Sequence, residues 1–255
     1  MTMTTAVTTS RPRPRRSTLD RATALRLAAT EYQRYLDLLR SLDPDDWSRS
    51  TDCPGWDVRA MGGHNLGMAE MAASLPEMVR QFVAMSRRPE VGVDAMTAHQ
   101  VEARQQLAPA EVIDRYAAVL PRAVRGRGRR SAVLGRMTMP DRQPVNGVEE
   151  SWTFGYLFET ILTRDTWMHR VDTAEATGRP LVLTPEHDGV LMADLVAEWA
   201  GRHGAPYELH LTGPAGGHWS SGAGGEELTL DAVLFARTIS GRAPASGLLG
   251  VQVPF

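Results

Sequence analysis

Leu25, Ala28, Ala29, Tyr32, Leu36 and Leu39 recur at three- and four-residue intervals, the spacing of one helix face. The spacing predicts a first helix with Ser17 as N-cap and Asp20 at its third position, a variant of the capping box, ending before Pro44. Thr51 to Asp57, TDCPGWD, reads as a turn centred on Pro54-Gly55, and Asp57 can cap a second helix from Val58 to about Met85. A third helical region is expected over roughly Ala95 to Val124, interrupted near Pro109. Residues 125–150, rich in Arg, Gly and Pro, read as a long connection. A fourth helix should run from about Thr153 to Thr177 and stop at Gly178-Arg179-Pro180.

Beyond residue 180 the pattern changes. Pro185 to His203 keeps a helical period, whereas YELHLTG, Tyr207 to Gly213, alternates like a strand. Short strands around Trp219 and Leu228, a helix from Leu230 to Ser240 and a last strand from Leu248 to Phe255 complete the reading. These elements imply a mainly α chain, with a helical domain over residues 18–180 and a small α/β domain over 181–255. Residues 1–17, Thr-rich and then RPRPRR, are expected to form a disordered, solvated tail.

Composition narrows the function classes. A formal charge of -2 with 23% charged residues argues against a nucleic-acid binder. No apolar run approaches the roughly 18 residues of a membrane span, and the N-terminus lacks the apolar core of a secretory signal. A lone cysteine, Cys53, allows no internal disulfide, so a cytoplasmic protein is expected, monomer or homodimer. All 28 basic residues are arginine, a codon signature of a GC-rich genome.

The candidate chemistry lies on two of the helices. Asp165 and His169 stand four residues apart, about one helical turn, so both project from one face. Both are metal-ligand types, although such a pair is more often a surface hydrogen bond. A third ligand must come from another element, and His64, in the second helix, is the choice. Around it, MGGHNLG carries three glycines, each costing about 1 kcal/mol relative to alanine in a helix interior. Close approach of another helix or of a ligand would account for them.

TDCPGWDVRAMGGHNLG resembles the entry to helix two in the mycothiol-dependent maleylpyruvate isomerase family, which belongs to the DinB-like four-helix bundles. RDTWMHRVD, Arg164 to Asp172, resembles the family's helix-four signature. LTGPAGGHW and TISGR resemble its C-terminal, sterol-carrier-like α/β domain. The resemblance implies a DinB-like bundle and a divalent metal, normally zinc, on His64, Asp165 and His169. The family usually has Glu where this chain has Asp165. It further implies mycothiol as the thiol cosubstrate and a small electrophilic molecule as substrate, with isomerisation or S-transfer as the reaction. Mycothiol is an actinobacterial thiol, compatible with the lysine-free composition.

Two histidines and one carboxylate leave coordination positions open, the pattern of a catalytic zinc. A thiol has a pKa of about 8.5 and becomes a nucleophile at neutral pH beside a coordinating cation. The same ligand set also suits a thiol-independent hydrolase or lyase and a non-haem iron enzyme. A bundle that has lost catalysis and serves as a binding protein is the fourth reading. Arg242 and Arg237 are candidate catalytic residues that could hold a substrate carboxylate. Cys53 is expected to pack, Trp56 and Trp167 to form core or pocket wall, and Asp172 to orient a histidine or pair with an arginine. The arginines between 122 and 130 read as a solvated loop.

Overall fold

The computed structural model describes residues 13–90 and 92–255. Four helices form the bundle: α1 (Arg21–Arg40), α2 (Val58–Ala73), α5 (Pro109–Leu134) and α6 (Leu162–Thr177). They pack in a ring, α1 on α5, α5 on α2, α2 on α6 and α6 on α1. Asp20, rather than Ser17, caps α1, accepting from the Thr23 amide at 3.0 Å. Asp57 caps α2 as expected, accepting from the Ala60 amide at 2.8 Å. The second helix is shorter than its pattern suggested. Ser74 is extended and caps a separate α3 (Leu75–Met85), with Pro76 in its first turn. α3 and α4 (Val93–Glu102) pack on each other and on α2.

The long connection expected over residues 125–150 is not a loop. α5 continues to Leu134, and β1 (Thr138–Val145) and β2 (Val148–Thr153) form an antiparallel hairpin. The glycines that made the segment look irregular are helix contacts. A Cβ on Gly126 would lie 2.0 Å from the Ala72 carbonyl oxygen, and one on Gly128 would lie 3.0 Å from Leu25. Arg127 is buried, its Nε donating to the Phe158 carbonyl at 2.7 Å. That carbonyl belongs to a π-helical turn, Tyr156–Ile161, that leads into α6. Asn146-Gly147 at the hairpin tip has positive φ at both residues, 50° and 74°. This is the most direct two-residue hairpin signal a sequence can carry.

The C-terminal part adds α7 (Val190–His203), α8 (Ala232–Ile239) and a three-stranded sheet. The strands are β3 (Tyr207–Thr212), β4 (Gly217–Ser221) and β5 (Glu226–Asp231), in the order β4-β3-β5, with β3 antiparallel to β4 and parallel to β5. Tyr207, Leu209 and Leu211 alternate inward. The strand expected at Leu248 to Phe255 does not form: Gly247–Gly250 is a 3-10 turn, and the following segment is tied by the Val253 amide to the Ile239 carbonyl at 3.0 Å.

α6 is shared by two apolar cores. Its Leu162 and Ala174 pack into the bundle, while Trp167, Met168 and Val171 pack with Leu195, Trp199, Leu209 and Phe235. Ion pairs bind the two parts together. Arg164 reaches Asp194 at 2.6 Å and Glu198 at 2.7 Å on α7. Arg170 reaches Glu31 at 2.6 Å on α1 and Asp188 at 2.8 Å. Of the expected disordered tail, residues 1–12 lie outside the described ones. Arg15, by contrast, is bridged to β2 and pairs with Glu150 at 3.0 Å, so the tail is shorter than residues 1–17.

Candidate metal centre and its cavities

The three expected ligands converge. Capping by Asp57 sets the start of α2, and His64 sits inside it, buried among Trp56 and the glycines. Gly62 makes room for Trp47, at 3.2 Å from a notional Cβ. Gly63 makes room for Arg104, just past α4, with its Cβ at 3.3 Å, and Gly67 makes room for α4 itself, with Gln100 Cβ at 2.8 Å. The glycines therefore serve helix packing. From α6, one turn apart, come Asp165 and His169. His64 Nε2 lies 3.1 Å from Asp165 Oδ2, and His169 Nε2 lies 3.4 Å from Asp165 Oδ1. One donor atom from each of the three residues falls within 4.8 Å of the other two.

The surroundings orient these groups. His169 Nδ1 lies 3.3 Å from Asp172 Oδ2, which leaves Nε2 facing Asp165. Asp172 is fully buried and accepts from Arg242 Nε at 2.9 and 3.0 Å. Trp56 packs against both imidazoles, with ring centroids 5.3 Å from His64 and 5.8 Å from His169. Trp167 is core, its Nε1 donating to Asp188 at 2.9 Å.

Electrostatically the site favours positive charge. Burial opposes ionisation of Asp165, yet the two imidazoles beside it hold its carboxyl well below the usual carboxylate range. Burial likewise opposes a charged His169, but Asp165 and Asp172 outweigh it and raise its pKa well above the ordinary value. For His64 burial dominates and lowers the pKa, favouring the neutral ring that a metal requires. Two imidazole nitrogens and an ionised carboxylate fit a divalent transition metal, whose binding would displace the proton that Asp165 and Asp172 favour on His169.

Two cavities meet at Asp165, whose side chain keeps 20% exposure. One, of about 300 Å³, is lined by Cys53, Trp56, His64 and His169 and by apolar side chains of α2, α3, α4 and β1. The other, of about 220 Å³, is polar, with Asn146, Ser240, Arg242 and Gln252 on its wall. Phe255 lines both, so the C-terminal part closes the metal side of the bundle.

The two arginines fare differently from expectation. Arg242 lies on the polar cavity but is paired with Asp172, within 3.6 Å of Cys53 Sγ. Arg237 lines neither cavity and donates to Asp52 at 2.6 Å, so it is not positioned to hold a substrate carboxylate. Cys53 is half-buried on the apolar cavity, 3.8 Å from Asp172, and is not simply packed away. Sequence reasoning missed the hairpin's contribution of Met139, Asp141 and Gln143 to the cavity wall, although the Asn-Gly turn and strand alternation were there to be read.

A family model, the mycothiol maleylpyruvate isomerase N-terminal domain, matches residues 28–174, more than half of the chain. The chain belongs to the mycothiol maleylpyruvate isomerase family. It is an enzyme family, and the match bears out the resemblance drawn from the CPGW and RDTWMH segments. Two solved structures are similar: a mycothiol-dependent maleylpyruvate isomerase at 17% identity, and a His-to-Ala mutant of one at 16%. Each has a TM-score of 0.53 over 88% of this chain and 90% of the other. At such identity they establish the fold, a helical bundle with a small α/β part. No curated protein matches the chain. Among the described residues, no helix is long and apolar enough to cross a membrane.

Proposed function

We propose that the protein is a metal-dependent enzyme that uses mycothiol as the nucleophile on a small electrophilic molecule, in an isomerisation or an S-transfer. The observation that carries this reading is the convergence of His64, Asp165 and His169 on one cavity wall in a member of this family. His64 Nε2, His169 Nε2 and a carboxylate oxygen of Asp165 are the donors for the metal, taken to be zinc. When bound, such a cation supplies a Lewis acid that lets a thiol ionise at neutral pH. Asp172 accepts from His169 Nδ1 and so holds the tautomer that presents Nε2. Arg242 acts as a positioning residue, keeping Asp172 charged and in place. Trp56 packs on both imidazoles, and Phe255 walls both cavities that meet at the site. The chain's own thiol, Cys53, is not the nucleophile.

The test is metal content followed by turnover with and without mycothiol at fixed zinc. His169→Ala and Asp165→Ala should lose metal and activity together, and Cys53→Ser should keep both. Turnover that needs no thiol would replace this reading with a metal-dependent hydrolase or lyase. Activity that follows added ferrous iron and oxygen would instead make it a non-haem iron enzyme.

A further inference from the structure

The larger cavity is built for a molecule of a particular kind. Five of the chain's 12 methionines line it, Met68, Met71, Met85, Met96 and Met139. Leu157, Ile161, Leu162 and Phe82 fill out the wall. Thioether side chains are unbranched and polarizable, so such a wall adapts to apolar ligands of varied shape. Its volume of about 300 Å³ sits at the lower end of small-molecule sites.

Apart from the two histidines of the metal site, the charged side chains on the wall have one sign. Asp94, Asp141 and Asp165 contribute carboxylates, and no arginine is among the described lining residues. The chain has no lysine. Two arginines near the site are engaged elsewhere. Arg104, behind Gly63 and Gly67, pairs with Glu70, and Arg242 pairs with Asp172. Arg142 is exposed and alternates to the opposite face of β1 from Asp141 and Gln143. A buried carboxylate is costly unless it is paired, and a molecule with two of them needs at least one cation beyond the metal.

We infer that the electrophile accepted by this cavity is an uncharged, largely apolar molecule and not a dicarboxylate. The inference rests on the proposed function for the word electrophile, and on the cavity alone for the rest. The shared Asp165 then separates an apolar chamber for the electrophile from the polar recess beside Arg242.

The experiment reads binding to the zinc-loaded full-length protein, with no thiol present. The neutral dye N-phenylnaphthylamine is bound first, then displaced by benzylideneacetone, an uncharged enone, or by maleate. The enone should displace the dye with about tenfold or greater preference over maleate. Thr97→Arg and Asp141→Arg, both on the cavity wall, should each weaken dye binding about tenfold and improve maleate binding, with circular dichroism showing that they fold. Maleate binding to the native protein as tightly as the enone would overturn the inference. So would dye binding that neither substitution changes, because the dye would then lie elsewhere. Since no thiol is present, a later finding that turnover needs none would end the mycothiol reading and leave this result standing.

Discussion

Asp172→Asn separates a positioning carboxylate from a merely structural one. Asp172 is fully buried and touches His169 Nδ1 at 3.3 Å and Arg242 Nε at 2.9 Å. Asparagine keeps the shape but loses the charge, so two effects are expected. Loss of a carboxylate that orients a metal-bound histidine lowers affinity about 10- to 100-fold, or roughly 1.4–2.7 kcal/mol. Breaking a buried ion pair costs about 3–5 kcal/mol of stability. The lower end applies here, because the Arg242 side chain keeps 16% exposure and can recover some hydration. Zinc affinity is read by competition with a chromophoric chelator, and stability by urea titration of the metal-free protein. Arg242→Gln is the control: it removes the same ion pair but leaves the His169 contact, so stability should fall while zinc affinity falls less than in Asp172→Asn. Wild-type zinc affinity in Asp172→Asn would refute the positioning role, whatever happens to stability.

Three further outcomes follow from the packing. Deleting residues 181–255 uncovers Leu27, Trp167, Met168 and Val171, all buried in the second core. At about 1.5–3 kcal/mol for each large apolar side chain, roughly 6–12 kcal/mol is lost, comparable with the whole stability of a domain. The truncated chain should therefore be insoluble, and a soluble, zinc-binding fragment would show that the bundle stands alone. Gly126→Ala should destabilise the protein by about 1–3 kcal/mol, because its Cβ meets the Ala72 carbonyl oxygen. In an exposed helix the same change would stabilise by up to about 1 kcal/mol, so the sign of the change in urea midpoint decides the matter. Burial pushes the carboxyls of Asp188 and Glu198 up, but Arg170 and Arg164 outweigh it and hold both below their ordinary values. The unfolded chain then takes up these protons first, so stability is full above about pH 5 and declines as the pH falls further. An unchanged urea midpoint down to about pH 3 would contradict this linkage.

The helices of the bundle, the break at Gly178 and the inward alternation of β3 were legible in the sequence, because each is a local pattern with a local cause. The Asp165–His169 pair was legible for the same reason, since one turn of helix places both on one face. That His64 meets them follows from the packing of α2 against α6, which no local pattern contains. The expectation of a bundle suggested His64, and the resemblance of the CPGW segment supported it. The region after Val124 misled because glycine has one chemistry and two uses. In a loop it frees the backbone, and in α5 its missing side chain lets Ala72 and Leu25 approach. The break of α2 at Ser74 also escaped the pattern, since its apolar period runs on into α3 and only the Ser74 cap and Pro76 mark the turn. The partners of charged residues lay beyond reach as well. Arg237 and Arg242 are alike in sequence. Only the tertiary fold sets one against the half-exposed Asp52 and the other against the buried Asp172, and which pair forms depends on which carboxylate arrives within about 3 Å.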